Sequence, residues 1–239
     1  MSNLDTSMRV IPIRNPELIE ILDRYVRLRT DNPEAFEEYM HLSCKHQMGQ
    51  KDWFTGEKYL SEIIAMGQNH EGFPEQMVGY EFRTNQKNHR FFKNEFPETG
   101  EEAKWRQNFV EELSSVQLEI MHFMGCRNNA LTAVYPPGGF IGWHNNANAA
   151  AWNFIFSWSE NGEGSFDYWD IEKGEIVKMQ DEPGWQLKAG YFGHYGEEDK
   201  IFYHSAGTDC WRHTISFCFD RSDASEEYRE EIIDEISSE

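Results

Sequence analysis

Seven short runs decide the fold of this chain: LTAVY (131–135), WNFIFSW (152–158), SFDYWD (165–170), EIVKM (175–179), WQLKAGYF (185–192), IFYHS (201–205) and RHTISFCF (212–219). Each has the length of one strand, and glycine, asparagine and acidic residues separate the runs. Strands of this length with turn residues between them predict an antiparallel sandwich or a small barrel. A parallel sheet would need crossover helices between the strands.

Helical periodicity dominates the chain before residue 130. Three helices are predicted there, at Pro33–His46, Glu57–Asn69 and Glu101–Phe123. In the last of them, apolar residues recur at alternating spacings of four and three, and Gly125 is a suitable C-terminal cap. Because the helices precede the strands and do not alternate with them, we expect an α+β protein with a mainly β core.

We expect one domain over residues 1–239. Residues 1–128 form helical support and pocket-covering segments, residues 129–221 form the β core, and residues 222–239 form an acidic C-terminal helix or tail. The polar and aromatic stretch at 72–97 predicts loops over the mouth of a pocket, with one short strand at Met77–Phe82. The tail, SDASEEYREEIIDEISSE, is expected to be a solvated helix or a frayed end.

Charge and composition narrow the classes of function. The chain has 22 Lys and Arg against 42 Asp and Glu, a net charge of −20, which argues against direct binding of nucleic acid. Its four cysteines show no C-x-x-C spacing, which fits a reducing cytoplasm better than a disulfide or zinc framework. No apolar stretch reaches the roughly 18 residues that a membrane span needs, and the N-terminus has no apolar signal region. We therefore expect a cytoplasmic protein without a membrane partner.

Three segments carry candidate chemistry: YPPGGFIGWHNN (135–146), IFYHSAG (201–207) and WRHTISFCFD (211–220). Side chains alternate along a strand, so His144 and Asn146 are expected to point the same way, and His204 from a later strand completes a set of ligands around one ion. Arg212 offers a charged fork suited to a carboxylate, and Thr214 lies on its side of the strand. Taken singly, each histidine is also compatible with a core role, and Arg212 with a structural ion pair.

This order of residues resembles that of the iron(II)/2-oxoglutarate oxygenases, and most of all their prolyl-hydroxylase branch. The resemblance implies a double-stranded β-helix, a jelly-roll or cupin-like barrel with flanking N-terminal helices. It also implies that His144, the Asn146 position and His204 hold Fe(II), as the H-x-D and distal histidine do in that family. The metal and catalytic residues expected here are therefore these three.

The resemblance extends to the cosubstrate. The family's arginine after the distal histidine binds the C5 carboxylate of 2-oxoglutarate, which assigns that role to Arg212, with Thr214 as a hydrogen-bond donor. Tyr135 corresponds to a tyrosine that often contacts the cosubstrate. The implied reaction uses O2, converts 2-oxoglutarate to succinate and hydroxylates a protein side chain or a small molecule, which a chain this acidic would prefer to be basic or neutral.

The sequence departs from the family at Asn146, where an aspartate or glutamate is expected. A neutral amide oxygen is a weaker ligand for iron than a carboxylate. Asn146 itself can ligate, or a nearby carboxylate such as Asp167 or Glu163 can replace it. A third alternative is a barrel that binds a ligand without iron. Halogenating members of the family have Gly or Ala at this position, but Asn is as large as Asp and would not open the space for chloride. As a further class of function, a cupin-like metal protein that does not use 2-oxoglutarate would not need Arg212. The remaining histidines are expected to be structural or solvated: His41, His46, His70, His89, His122, His194 and His213.

Overall fold

The computed structural model describes residues 8–66, 76–82, 91–93, 98–126, 128–146, 152–193, 201–219 and 223–239. Within these ranges the strands are β1 (Arg9–Pro12), β2 (Leu42–Ser43), β3 (Met77–Glu81), β4 (Asn128–Tyr135), β5 (Phe140–His144), β6 (Trp152–Ser159), β7 (Gly164–Asp170), β8 (Glu175–Gln180), β9 (Gly184–Tyr191), β10 (His204–Thr208) and β11 (Arg212–Phe219). The α-helices are α1 (Pro16–Thr30), α2 (Pro33–Tyr39), α3 (Lys51–Phe54), α4 (Glu57–Met66), α5 (Glu101–Met124) and α6 (Asp223–Ser237).

The strands form a continuous antiparallel sheet in the order β1-β9-β6-β11-β4-β3-β5-β10-β7-β8, and β2 pairs with β3 beside this path. β3 pairs with both β4 and β5, so it joins two halves of the sheet. We call β1, β9, β6, β11 and β4 the major half, and β5, β10, β7 and β8 the minor half. The halves face each other as a half-barrel, which confirms the predicted jelly-roll, double-stranded β-helix class.

The two faces of the major half have different chemistry. On β11, Arg212 and Ser216 point into the space between the halves, since Ser216 pairs with Ile155 and Ile155 shares a buried cluster with Phe166 of the minor half. Ile215, on the opposite face, belongs to the main core with residues of the helices. The barrel interior therefore receives the polar side chains of β11 beside an apolar cluster around Ile155 and Phe166, whereas the outer face of the major half packs into the main core.

Helices α1 and α5 cover that outer face, and their apolar stripes form the main core with it. α5 confirms the predicted helix, and it ends where Gly125 adopts a left-handed conformation at φ +59°. α1 is not among the helices predicted from the sequence. Its start signal is present, because Pro16 opens the helix and the Asn15 side chain caps it by accepting a hydrogen bond from the Leu18 amide at 3.1 Å.

The helix predicted over Pro33–His46 is wrong beyond Tyr39. After α2 ends, the His41 amide donates to the Phe91 carbonyl at 2.7 Å, and β2 pairs with β3. These hydrogen bonds to a distant part of the chain replace those that a longer helix would make, and tertiary pairing outweighs the local preference. Of the pocket-covering segment predicted at 72–97, the structure describes residues 76–82 and 91–93, so the rest of that prediction lies outside the described residues. The predicted helix end at 67–69 also lies outside them.

The C-terminal tail is helical but is neither frayed nor fully solvated. Ile232, Ile233 and Ile236 of α6 are buried in the main core. The Ile236 carbonyl also accepts hydrogen bonds from the amides of Arg14 and Asn15, at 2.9 and 3.1 Å. The acidic composition of the segment favours a solvated helix, but its three isoleucines lie on one face of the helix and bury that face. Among the described residues, none of the helices has the length and apolarity needed to cross a membrane.

Replacing Ile236 by alanine tests this packing. Ile236 is fully buried, so Ile236→Ala should lower the free energy of unfolding by about 2–5 kcal/mol, through lost burial and the cavity left behind. The exposed Glu231, changed to alanine on the same helix, is the matched control and should change it by less than about 0.5 kcal/mol. Urea denaturation measures both. Equal midpoints for the two variants would mean that α6 is not part of the core.

Candidate functional site

Two of the predicted metal ligands lie side by side inside the barrel. His144 ends β5 and His204 begins β10, and the two residues are direct partners across these antiparallel strands. Their ring centroids are 4.1 Å apart, and both side chains are buried. The rings of Phe166 and Phe192 flank His204, with centroids 5.5 and 4.7 Å from it. The pairing register therefore joins two imidazoles that are sixty residues apart in the sequence.

Backbone carbonyls fix the orientation of both rings. The Nδ1 atom of His144 lies 2.8 Å from the Gly142 carbonyl oxygen, and Nδ1 of His204 lies 3.2 Å from that of Phe202. A carbonyl only accepts, so Nδ1 carries the proton and Nε2 of the neutral ring has the lone pair. Burial, and then the neighbouring His144, hold the pKa of His204 well below its usual range. This orientation by a second hydrogen bond is typical of histidines that ligate metals.

Asn146 lies two residues beyond the end of β5. The alternation that predicts Asn146 on the side of His144 belongs to a strand, and this strand has already ended at His144. Asn145 is buried, whereas Asn146 is partly exposed. The pairing of β5 thus fixes the direction of His144 but not that of Asn146, and the role of Asn146 as a ligand stays a prediction.

Neither of the carboxylates considered as substitutes lies beside the histidines. His204 pairs with Tyr168 and Ser205 with Asp167, so Asp167 points to the opposite face of the minor half. There it lines a cleft of about 460 Å³ on the outside of the barrel. Glu163 is exposed and accepts a hydrogen bond from Asn161 at 2.9 Å, just before the start of β7. The proposal that one of these two completes the ligand set is therefore wrong.

In the part of the chain that the structure describes, no group of three or more His, Cys, Asp or Glu side chains is arranged to hold a metal. The donor set that these residues offer is the histidine pair. Two neutral imidazoles suit Fe(II) and other borderline cations, but they bring no negative charge to balance the ion.

The predicted anion-binding arginine is buried in the same interior. Arg212 donates from Nε to Oδ2 of Asp181 at 2.7 Å, and from one terminal nitrogen, Nη1, to the Thr214 hydroxyl oxygen at 2.6 Å. Its other terminal nitrogen, Nη2, is buried and has no hydrogen-bond partner among the described residues. An unpartnered donor on a buried cation is costly, and a carboxylate is the ligand that would satisfy it.

A lysine holds the other side of Asp181. Nζ of Lys188 donates to Oδ1 of Asp181 at 2.5 Å, to the Ser157 hydroxyl at 3.1 Å and to the Gln186 side-chain oxygen at 3.3 Å. Three acceptors match the three protons of an ammonium group, so these contacts favour the charged form of Lys188. We call Arg212, Asp181 and Lys188 the charge cluster. It contains two cations and one anion, all buried.

The cluster keeps Asp181 ionised despite its burial. Burial alone would raise the pKa of Asp181, but the charges and hydrogen bonds of Arg212 and Lys188 hold that pKa below its usual value. Burial lowers the pKa of Arg212, and the Asp181 carboxylate more than offsets this, so the net shift is upward. Burial also lowers the pKa of Lys188, which Asp181 offsets in part. The Asp181 carboxylate thus stabilises the charged forms of both Arg212 and Lys188.

Asp181 and Lys188 are not among the site residues predicted from the sequence. The one sequence signal for Lys188 is a lysine in the middle of a mostly apolar strand, WQLKAGYF, because lysine is almost never fully buried unless paired. Asp181 follows β8 in a turn and carries no local signal. The backbone around it is tight, since a Cβ on Gly164 would lie 2.6 Å from Oδ2 of Asp181. Glycine is therefore required at 164 if Asp181 is to keep its place.

Tyr135 and Thr214 lie beside the cluster. Tyr135 is the direct partner of Arg212 across β4 and β11, and the Arg212 guanidinium carbon lies 5.9 Å from the centre of its ring. Burial raises the pKa of Tyr135 well above its usual value, and the charge of Arg212 opposes this in part. The Thr214 oxygen accepts from Arg212, and its hydroxyl proton remains as a donor. The structure thus groups Tyr135, Arg212 and Thr214 on one wall of the interior, while their roles toward a cosubstrate stay predictions.

Those of the other histidines that the structure describes lie away from this interior. His213 is buried on the outer face of the major half, where its Nε2 accepts from Nε of Arg29 at 3.1 Å. Burial, and then the charge of Arg29, hold the pKa of His213 well below its usual range. His41, His46 and His122 are exposed. His70, His89 and His194 lie outside the described residues.

Comparison with known proteins adds distant structural likenesses. The crystal structure of a prolyl-4-hydroxylase from Pseudomonas putida matches 91% of this chain and 95% of its own, with 12% identity and a TM-score of 0.42. YcfD, a ribosomal oxygenase from Escherichia coli, matches 68% of this chain and 36% of its own, with 14% identity and a TM-score of 0.29. No protein-family model and no curated protein sequence matches. These likenesses are too distant to assign a function, which has to come from the site's own geometry.

The buried His213 should make stability depend on pH. Its folded pKa is lowered, so only the unfolded chain takes up this proton as the pH falls below the usual histidine value of 6.5. Stability should be full above that pH and then fall, by up to about 1.4 kcal/mol per pH unit for this one group. His213→Gln keeps an acceptor for Arg29 but does not titrate, so urea denaturation between about pH 5 and 8 should show a shallower decline. An unchanged slope would contradict the buried neutral histidine.

Proposed function

We propose that this protein is an iron(II)/2-oxoglutarate-dependent oxygenase that hydroxylates a protein side chain or a small molecule. One observation carries the proposal: a single barrel interior holds both a pair of adjacent, carbonyl-oriented imidazoles and a buried guanidinium with an unsatisfied donor. A structural role alone would explain either feature singly. Their occurrence on facing halves of one sheet is what a site that holds both a metal ion and an oxo acid would require.

The residues present fit Fe(II) in part. His144 and His204 would hold the ion through Nε2, because Nδ1 of each ring is committed to a backbone carbonyl. Asn146 is the third ligand that the resemblance assigns, through its side-chain oxygen. It supplies no charge, so the protein contributes two neutral imidazoles and a neutral amide to the ion. A bound anion would then have to provide the negative charge that an aspartate or glutamate ligand provides in the oxygenases that this sequence resembles.

The residues also fit 2-oxoglutarate. Arg212 would bind the C5 carboxylate through Nη2, with Thr214 as a second donor, because Asp181 already occupies Nε and fixes the plane of the guanidinium. Tyr135 forms the wall beside it. A preorganised, buried guanidinium would bind a carboxylate strongly, since no side chain has to reorient.

When bound, iron with 2-oxoglutarate and O2 supplies oxidative decarboxylation to succinate coupled to insertion of oxygen into a C–H bond. The chain's own residues bind, orient and exclude water. The phenylalanine rings beside His204 keep one side of the histidine pair apolar, and the charge cluster keeps the opposite wall positive. For the substrate we propose a basic or neutral group, because the chain carries a net charge of −20.

Asn146 also supports a second candidate function. Without a protein carboxylate the barrel would bind iron weakly, and the same charge cluster would then serve a module that binds an anionic ligand without redox chemistry. The two candidates differ in whether the histidine pair takes up a metal.

Changing Asn146 to aspartate separates them. Asn146→Asp adds one negative charge with almost no change in volume, so iron affinity and turnover of 2-oxoglutarate to succinate without substrate should both rise. Each protein is reconstituted with Fe(II) without oxygen, its metal content is found by elemental analysis, and succinate is measured after admission of air. The exposed Asn161, changed to aspartate, adds the same charge elsewhere and should have no effect.

His204→Ala should abolish iron uptake both in the parent protein and in the Asn146→Asp variant. If neither the parent nor Asn146→Asp takes up iron, the proposed oxygenase is wrong and the binding module is the better reading. If Asn146→Asp lowers the activity of a parent that binds iron tightly, a carboxylate from outside the described residues completes the site.

A further inference from the structure

We propose that Lys188 is a positioning residue that makes the interior anion site selective for a ligand with a distal carboxylate. The inference rests on the proposed function for the identity of that ligand, a 2-oxo dicarboxylate. It adds a determinant on β9, a strand that carries none of the ligands considered so far. Lys188 acts through Asp181 and Arg212 and need not touch the ligand.

The charge cluster carries a net positive charge. Arg212 and Asp181 alone form a neutral pair, with Nε and Oδ2 2.7 Å apart. A neutral pair has little reason to draw a further carboxylate out of water. Lys188 contributes a second cation at 2.5 Å from the other oxygen of Asp181, so one positive charge is left over. That excess is fully buried, because the side chains of Lys188, Asp181 and Arg212 are 0%, 1% and 2% exposed.

The hydrogen bonds decide where the excess charge is presented. Lys188 has an acceptor for each of its protons, in Asp181, Ser157 and Gln186, so it has no donor left for a ligand. Arg212 has one terminal nitrogen with no partner among the described residues. The donor that is open to a ligand is therefore on Arg212. The charge that makes the cluster positive overall comes from Lys188.

A carboxylate at that donor would bring the cluster to neutrality. A ligand of the same length that ends in a methyl group would leave the positive charge uncompensated and the donor unpaired, and both are costly in a buried site. The cluster should therefore discriminate between the two ligand ends by charge and not only by shape. The preference for a ligand with a distal carboxylate should disappear when the net charge of the cluster is reduced to zero.

The test compares 2-oxoglutarate with 2-oxopentanoate, which has the same chain length but no distal carboxylate. Calorimetry on the Mn(II)-loaded protein measures both affinities for four proteins: the parent, Lys188→Met, Lys188→Arg and the double variant Asp181→Asn/Lys188→Met. The exposed Lys178, changed to methionine, controls for the loss of a lysine elsewhere. Thermal melts establish that each variant is folded.

The parent should prefer 2-oxoglutarate, and Lys188→Met should lose about tenfold or more of that preference while its affinity for 2-oxopentanoate hardly changes. Lys188→Arg and Lys178→Met should keep the preference. The double variant again leaves one uncompensated positive charge, on Arg212, so it should recover the preference that Lys188→Met loses. A protein that merely lost packing at 188 would not recover when a second buried residue is changed.

A Lys188→Met variant that weakens both ligands equally, or leaves the preference intact, would overturn the proposal. If Lys188→Met does not fold, Lys188→Gln, which keeps a donor for Ser157, takes its place with the same expected result. If the parent binds neither oxo acid with Mn(II), the proposed function fails. Glutarate and pentanoate on the metal-free protein then decide the inference: a glutarate preference that Lys188→Met removes supports it, and no preference overturns it.

Discussion

Asp181, a buried carboxylate held between Arg212 and Lys188, is the interaction on which the barrel interior depends. Taking three charges out of water is expensive, and the geometry repays it only because both oxygens of Asp181 and all three protons of Lys188 are used. The cluster ties β9 and β11 of the major half to the turn after β8 of the minor half. It thereby links the two halves across the space between them.

The two faces of the major half carry different kinds of side chain, and the charge cluster lies on the inner one. Many apolar side chains of the major half pack outward against α1, α5 and α6, so the main core lies outside the barrel. The interior holds polar and titratable groups beside a smaller apolar cluster: the charge cluster, which spans β9, β11 and the turn after β8, and the His144–His204 pair on the minor half. The main core and the buried charges thus lie on opposite faces of the same strands, so the charged groups do not have to be accommodated in the apolar core.

The sequence predicts what depends on local pattern and fails where distant pairing decides. Alternating strands and the periodicity of α5 are local, and both are confirmed. The helix end after Tyr39 and the partnership of Asp181 with Lys188 depend on which strands become neighbours, which a local pattern does not encode. The alternation of side chains holds within a strand, so it correctly places Arg212 and Thr214 on the same face of β11. It does not determine the direction of the Asn146 side chain, because β5 ends at His144. α1 was missed although its Asn-Pro start signal is local.

The central claim is that one interior binds a divalent metal at His144 and His204 together with a dicarboxylate at Arg212. Calorimetric titration of Mn(II) into the protein, with and without 2-oxoglutarate, tests it most directly. The account predicts that 2-oxoglutarate tightens Mn(II) binding, that Mn(II) tightens 2-oxoglutarate binding by the same factor, and that His204→Ala removes both effects. Metal and oxo acid that bind without influencing each other, or no Mn(II) binding in either condition, would contradict it.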